Sequence, residues 1–171
     1  MGRDKASLPF RGSTLVETVA EAVRAAAGTV TLVGGSPPAE MGSFGFVLDS
    51  YPGEGPLGGI LTALRSTHAD WNLIVACDMP ELSGDFLGQL MDGAEHSQAD
   101  ALVPFGPSGR LEPLCAVYHR RAQAGLGRAF ACGVRKVAVA LEEVRLVTWP
   151  VPQSSYFQNV NTPQDWATYD R

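Results

Sequence analysis

The chain has 171 residues, of which 18% are charged, and its net charge is −5. This balance argues against a nucleic-acid surface built on bulk positive charge, and no apolar run reaches the roughly 18 residues that a membrane span needs. The length predicts one domain, residues 1–171. The odd number of cysteines, without a Cys-x-x-Cys pair, favours a reducing cytoplasm over a disulfide scaffold.

The sequence of the first 70 residues predicts two helices and two short strands. The segment 14–17 has the Thr-x-x-Glu spacing of a capping box, and apolar residues then recur at helical period until Gly28 ends the helix. Short strands are predicted over 30–33 and 46–48, and the second closes on Asp49. A glycine-rich loop then leads into the second helix.

The stretch 72–80, Asn-Leu-Ile-Val-Ala-Cys-Asp-Met-Pro, is the one around which the rest is organised. Its five apolar residues predict a strand that is buried on both faces, as in a parallel sheet covered by helices. The run ends on Asp78, and ligands of open α/β sheets bind outside the carboxyl ends of strands. A carboxylate there suits a hard cation or a ribose hydroxyl. Alternatively, Asp78 has only a structural role and begins a turn or caps the next helix.

The second half of the chain continues the alternation of helices and strands. Ser83 is predicted to cap a helix, and strands are predicted over 101–104, 113–118 and 144–149. A final helix is predicted to start at Thr162, where a proline follows the cap. This alternation predicts an α/β fold, a Rossmann-like three-layer sandwich with a mostly parallel sheet.

A Gly-x-Gly-x-x-Gly pattern at 53–58 matches the dinucleotide-binding fingerprint, and Asp78 follows it about 20 residues later, where a ribose-binding acid is expected. However, residues 50–52 separate the first glycine from its strand, and Pro56 removes a backbone donor from the turn that should cradle a pyrophosphate. We therefore favour a loop that lets the backbone approach a flat or anionic ligand over the loop of a dehydrogenase.

Five pieces of the sequence keep the order of motifs found in one enzyme family. They are Met-Gly-x-Asp-Lys with Leu-Pro-Phe at 1–10, Asp49 followed by Gly-Pro-Leu-Gly-Gly-Ile at 55–60, Val-Ala-Cys-Asp-Met-Pro at 75–80, Gly-Arg-Leu-Glu-Pro-Leu at 109–114, and Asn-Val-Asn-Thr-Pro at 159–163. Together they resemble the MobA-like NTP transferase family, and within it the molybdenum cofactor guanylyltransferases. The resemblance extends from one end of the chain to the other and implies a sandwich of the nucleotide-diphospho-sugar transferase type.

On the nucleotide side, the resemblance implies a role for each matching residue. Asp78 would bind Mg²⁺, and Lys5 would hold the phosphates of the nucleotide, which makes these two the candidate catalytic residues. Asp49 and the loop after it would contact guanosine. The loop residues concerned are Gly55, Pro56, Leu57, Gly58 and Gly59. Lys5 also has a structural interpretation, as a solvated charge near the N-terminus.

On the acceptor side, the resemblance implies that Arg110, Asn159 and Asn161 face a pterin substrate. Each of these residues has a structural alternative as well. The two asparagines could be only turn and cap residues, because asparagine favours both places, and Arg110 could be an ordinary surface arginine.

The sequence departs from the family in two places. The family has an asparagine after its second strand that contacts the base, whereas this chain has Gly34 and Gly35. The family also begins with a strand and a glycine-rich Leu-Ala-Gly-Gly loop just before the Met-Gly pair, and we expect the natural polypeptide to start about 10–20 residues upstream of Met1 and to carry both there. Without that strand, two neighbouring strands of the sheet are expected to lack a partner.

The reaction implied by the resemblance is the transfer of GMP from GTP to molybdopterin, or Mo-molybdopterin, with release of pyrophosphate. A molybdenum-insertion protein or a molybdoenzyme is implied as a partner. Three alternatives stay open: a cytidylyltransferase or sugar-nucleotide transferase of the same fold, a catalytically silent cofactor-binding protein, and lastly a dehydrogenase. In the family a Gly-Pro-Leu-Gly-Gly loop goes with guanine and a serine-rich loop with cytosine, so GTP is expected over CTP.

Overall fold

The computed structural model describes residues 9–10, 12–37, 44–153 and 155–160. The strands are β1 (Pro9–Phe10), β2 (Ser13–Thr14), β3 (Thr31–Gly34), β4 (Gly45–Leu48), β5 (Trp71–Val75), β6 (Ala101–Phe105), β7 (Cys115–His119) and β8 (Leu146–Pro150). The helices are α1 (Leu15–Ala27), α2 (Pro56–Ser66), α3 (Gly84–Glu95), α4 (Ala122–Ala131) and α5 (Val137–Ala140), with 3₁₀ turns at Leu141–Glu143 and Ser155–Phe157. The helix predicted from Thr162 lies outside the described residues. No helix in the described part is both long and apolar enough to cross a membrane.

The described strands form three sheets. The largest has the order β5–β7–β6–β8, β3 and β4 form a parallel pair, and β1 and β2 form a short antiparallel pair. In the largest sheet β5, β6 and β8 run in one direction, and β7 runs against them. Helices alternate with these strands along the chain, which confirms the predicted α/β class with a mostly parallel sheet.

Helices cover both faces of the four-stranded sheet. On one face α2, α4 and α5 pack against a cluster that includes Val103 and Tyr118. On the other face α3 packs against Leu102 and Val117. Neighbouring residues of β6 and β7 therefore point to opposite layers, as the two-residue period of a strand requires. The two helical layers and the sheet between them make the predicted three-layer sandwich.

The strand β5 differs from its prediction, because its side chains are half-buried along its whole length instead of buried on both faces. It pairs with β7 along one edge, and within the described part of the chain no strand pairs with its other edge. The edge of β3 that faces away from β4 has no partner there either. Side chains on a strand are covered partly by neighbours on both sides, so a strand with one partner remains more exposed.

Helix α1 begins as its sequence predicts. The hydroxyl of Thr14 accepts the N–H of Glu17 at 3.3 Å, and the carboxylate of Glu17 accepts the N–H of Thr14 at 2.9 Å, so both halves of the capping box are present. Gly28 closes the helix with a φ of +76°. A Cβ atom on Gly84, at the start of α3, would lie 2.7 Å from the Cβ of Ala25, so the glycine permits the two helices to approach closely.

An ion cluster joins the amino ends of β6 and β8 to the end of β7. Asp100 immediately precedes β6, and its side chain is only 15% exposed. Its Oδ1 atom lies 3.0 Å from a guanidinium nitrogen of Arg145 and also accepts from Arg121, while Oδ2 accepts the main-chain N–H of Arg145 at 3.0 Å. Hydrogen bonds from Arg145 and Arg121 hold the pKa of Asp100 well below its usual range, although burial acts in the opposite direction.

Replacing Asp100 with asparagine is expected to lower the free energy of unfolding by about 1–3 kcal/mol at neutral pH, since hydrogen bonds to charged groups contribute about that much. Because the folded-state pKa is depressed, Asp100 stabilises the fold above its unfolded-state pKa of about 4. This contribution is lost as the pH falls toward the folded-state value. Denaturant titrations from about pH 2 to 7 should therefore show a flatter dependence on pH in the variant.

The matched control is Asp70→Asn. Asp70 pairs with Arg120 at 3.5 Å, and both side chains are half-exposed or more. Exposed ion pairs contribute little, so the free energy of unfolding should change by less than about 1 kcal/mol. An Asp100→Asn variant no less stable than this control would contradict the structural role of the cluster.

Candidate functional site

The carboxyl end of β5 carries the acid that the sequence singles out. Asp78 lies in the turn that follows β5, and its carboxylate oxygen Oδ1 is buried. The main-chain oxygen of Asp78 accepts the N–H of Val160 at 2.9 Å, which binds the segment 155–160 to this turn. Asn159 is exposed and adjoins Val160. The structure therefore brings Asp78 and Asn159 to the same edge of the sheet.

The segment between β6 and β7 folds back over the same edge. The N–H of Glu112 donates to the main-chain oxygen of Pro104 at 2.9 Å, and the N–H of Ala76 donates to that of Leu114 at 2.8 Å. These two bonds fix the segment on the ends of β6 and β5. Arg110 extends from it with a side chain that is 76% exposed, and its Nε atom lies 3.7 Å from a carboxylate oxygen of Glu112.

Glu112 is a member of this edge that the sequence analysis did not single out. Its side chain is only 13% exposed. Burial raises the pKa of the Glu112 carboxyl, and the positive charge of Arg110 acts in the opposite direction. An acid in an otherwise apolar run, two residues after an arginine, was the signal in the sequence that could have identified it.

Asp49, at the end of β4, is bound by its own chain. Its Oδ1 atom accepts the N–H of Tyr51 at 2.9 Å and the hydroxyl of Thr62 at 2.9 Å. Thr62 is buried on α2, and its hydroxyl oxygen also accepts the N–H of Ser50 at 3.1 Å and lies 3.0 Å from the main-chain oxygen of Gly58. Asp49 thus fixes the glycine-rich loop to α2, a role that the sequence did not predict. Its contact with guanosine stays a prediction.

The start of α2 is built by the second part of the loop. Gly55 stands at the N-cap position with a φ of +80°, a backbone conformation that residues other than glycine rarely adopt. Pro56 follows as the first residue of the helix, where its missing N–H costs nothing because that group has no partner within a helix. The side chain of Leu57 is fully buried, so it belongs to the core, and its contact with the nucleotide stays a prediction.

The next two glycines of α2 differ in their surroundings. A Cβ atom on Gly58 would lie 2.8 Å from the Cβ of Tyr51, so glycine is needed there for the loop to pack against the helix. A Cβ atom on Gly59 would meet no atom within 4 Å. The N-terminus of a helix presents backbone N–H groups and a partial positive charge, which suits an anionic group of a ligand.

Two of the predicted site residues, Lys5 and Asn161, lie outside the described residues, so their roles stay predictions. Within the described part, no three acids, histidines or cysteines come together as a metal site. A single carboxylate nevertheless fits a magnesium nucleotide, because Mg²⁺ in such sites is held by one or two carboxylates, by substrate phosphates and by water. The donor set at Asp78 therefore fits this ion.

Comparison with known proteins decides the family. Residues 1–146 match the MobA-like NTP transferase domain, which is most of the chain. The chain belongs to the MobA-like NTP transferase family. This membership confirms the family that the motifs resemble, and with it the predicted enzyme class, nucleotidyltransferase. NTP transferases generally use a divalent metal.

Two curated relatives of this MobA-like chain have informative names. The molybdenum cofactor guanylyltransferase of Rhodopseudomonas palustris is 32% identical over 183 aligned positions, which cover 99% of this chain and 86% of that protein. A probable molybdenum cofactor guanylyltransferase of Chloroflexus aggregans is 35% identical over 128 positions, which cover 70% of this chain and only 61% of that protein. These names agree with the function that the sequence implies.

Solved structures support the MobA-like fold. The molybdopterin-guanine dinucleotide biosynthesis protein A from Archaeoglobus fulgidus superposes with a TM-score of 0.79 and is 28% identical, with 98% of this chain and 89% of that one covered. The 2-C-methyl-D-erythritol 4-phosphate cytidylyltransferase from Thermus thermophilus gives a TM-score of 0.74 over 97% of this chain and 92% of that one. At 18% identity the second likeness shows the fold alone.

Proposed function

We propose that this chain is a molybdenum cofactor guanylyltransferase, which transfers GMP from GTP to molybdopterin or Mo-molybdopterin and releases pyrophosphate. The observation that carries the proposal is the match over nearly the whole chain to a relative of that name. The arrangement of Asp78, Asn159 and Arg110 at one sheet edge supports it, because ligands of open α/β sheets bind at that edge.

In the proposed reaction, an oxygen of the pterin's terminal phosphate attacks the α-phosphorus of GTP in line. The bond from that phosphorus to the bridging oxygen of the β-phosphate breaks, and the electron pair leaves with pyrophosphate. Asp78 would hold Mg²⁺, which supplies positive charge to the phosphates in the transition state. Lys5, from its resemblance to the family, would add a second positive charge there. The described residues show no Ser-His-Asp arrangement, and no covalent enzyme intermediate is needed.

The two substrates are assigned to two sides of Asp78. Asp49 and the loop at 55–59 would hold guanosine, since the hydrogen bonds of Asp49 fix this loop at the start of α2. Arg110, Asn159 and Asn161 would hold the pterin. The first two lie on segments that the structure places over the ends of β5 and β6.

A molybdenum-insertion protein or a molybdoenzyme is the proposed protein partner, since the product is a cofactor that another protein must receive. We assign the chain to the cytoplasm, which the odd number of cysteines and the lack of a Cys-x-x-Cys pair in the sequence support. Nucleic acid and membranes are not proposed as partners, given the net charge of −5.

The proposal predicts that the chain uses GTP at least tenfold better than CTP, which corresponds to about 1.4 kcal/mol. The reason is the Gly-Pro-Leu-Gly-Gly loop at 55–59, which goes with guanine in the family. Binding of GTP, CTP and NAD in the presence of Mg²⁺ should be compared by calorimetry. Equal or better binding of CTP would move the chain to the cytidylyltransferases, tight binding of NAD would favour a dehydrogenase, and no binding would favour a silent cofactor-binding protein.

A further inference from the structure

The acceptor in the proposed reaction carries an anionic phosphate, so its binding site needs a cation. Three segments line the sheet edge on the acceptor side of Asp78: residues 76–83, 106–114 and 151–160. In the described part of these segments, Arg110 is the one residue with a positive charge. In the order of the four-stranded sheet, β7 and β6 follow β5, so the segment 106–114, which joins β6 to β7, lies on the β6 side of β5.

An exposed arginine is a poor phosphate ligand unless something holds it in place, because its long side chain loses rotamer entropy on binding. Arg110 is 76% exposed, whereas the side chain of Glu112 is only 13% exposed. The backbone of Glu112 is fixed by its hydrogen bond to Pro104. Glu112 is therefore the buried and anchored member of the pair, and Arg110 is the exposed one.

The geometry of the pair leaves a binding surface on the arginine. Glu112 approaches the Nε atom of Arg110, at 3.7 Å. The two terminal nitrogens of a guanidinium can grip a phosphate with two parallel hydrogen bonds. Contact through Nε therefore orients the guanidinium without occupying those nitrogens.

We propose that Arg110 binds the terminal phosphate of the pterin acceptor and that Glu112 is a positioning residue that holds the Arg110 guanidinium for this contact, an inference that rests on the proposed function. The partly buried carboxylate of Glu112 has no use as a phosphate ligand itself, since like charges repel. Its effect on the acceptor therefore passes through Arg110.

Calorimetry with a phosphomonoester pterin, and with the same pterin lacking its phosphate, tests this directly. Arg110→Ala should weaken binding of the phosphorylated pterin about 10- to 100-fold, and Glu112→Gln about three- to tenfold. Neither change should affect binding of the unphosphorylated pterin or of GTP. In the double variant, Glu112→Gln should add less than about twofold to the effect of Arg110→Ala, because its effect requires the arginine.

The matched control is the pair Arg128→Ala and Glu143→Gln, an exposed ion pair at 3.9 Å outside the three segments, which should leave all three affinities unchanged. An independent effect of Glu112→Gln in the Arg110→Ala background would overturn the positioning role. Equal loss of affinity for both pterins, or a lowered melting temperature that explains the loss, would also overturn it. If the wild-type chain binds the phosphorylated pterin and both variants bind it equally tightly, this inference alone is refuted. A wild-type chain that binds neither pterin would refute the proposed function, and this inference with it.

Discussion

Replacing Asp78 with asparagine is expected to lower guanylyl transfer about a thousandfold or more and to leave the melting temperature nearly unchanged. The loss of a principal metal ligand removes several kcal/mol of transition-state stabilisation. The fold should tolerate the change because asparagine has nearly the same shape as aspartate and keeps the main-chain oxygen that accepts the N–H of Val160. Steady-state rates measured over a Mg²⁺ titration, beside a thermal melt, check both parts.

The control for this variant is Asp92→Asn, which neutralises an exposed acid on α3. It should keep both the rate and the Mg²⁺ dependence of the wild-type chain. If Asp78→Asn retains a near-normal, Mg²⁺-dependent rate, then Asp78 is not the metal ligand, and its carboxylate only shapes the turn after β5.

The second large effect is expected at Asp49, where two roles can be separated. Asparagine keeps an oxygen that can accept from Tyr51 and Thr62, so Asp49→Asn should change the free energy of unfolding by less than about 1 kcal/mol. It loses the charge proposed to bind guanosine, so the Kd for GTP should rise about 10- to 100-fold. Alanine loses both functions, so Asp49→Ala should also destabilise the fold by about 1–3 kcal/mol.

Thr62→Val is the control for the structural role of Asp49. It removes the buried hydroxyl that bonds Asp49 and so should lower stability, while the carboxylate that is proposed to bind GTP remains. Denaturant titrations and GTP calorimetry on the three variants complete the test. Should Asp49→Asn bind GTP like the wild-type chain, Asp49 acts only as the tie between the loop and α2.

Local signals in the sequence were sufficient for most of the fold. The Thr-x-x-Glu box placed the start of α1, and Ser83 placed the start of α3, because caps depend on a few adjacent residues. The antiparallel direction of β7 could not be read from its mixed pattern, since direction depends on which strands it pairs with. The half-burial of β5 also depends on pairing partners and not on its own apolar residues.

The candidate site was predictable where it follows strand ends and unpredictable where it depends on tertiary contacts. Asp78 was identified from the apolar run that precedes it. The tie between Asp49 and Thr62 joins residues on two elements, and no local pattern indicates such a bond. Glu112 was missed for the same reason, because its burial comes from the fold of 106–114 over β6.

The measurement that tests the central claim most directly is the fate of the α-phosphate of GTP. The chain should be incubated with Mg²⁺, molybdopterin and GTP labelled at that phosphate, and the products separated. We expect the label to move into a product that contains both pterin and guanine, with an equal amount of pyrophosphate released, and we expect neither product with Asp78→Asn. Label that stays in GTP, or that appears only as free GMP, would contradict the assignment as a guanylyltransferase.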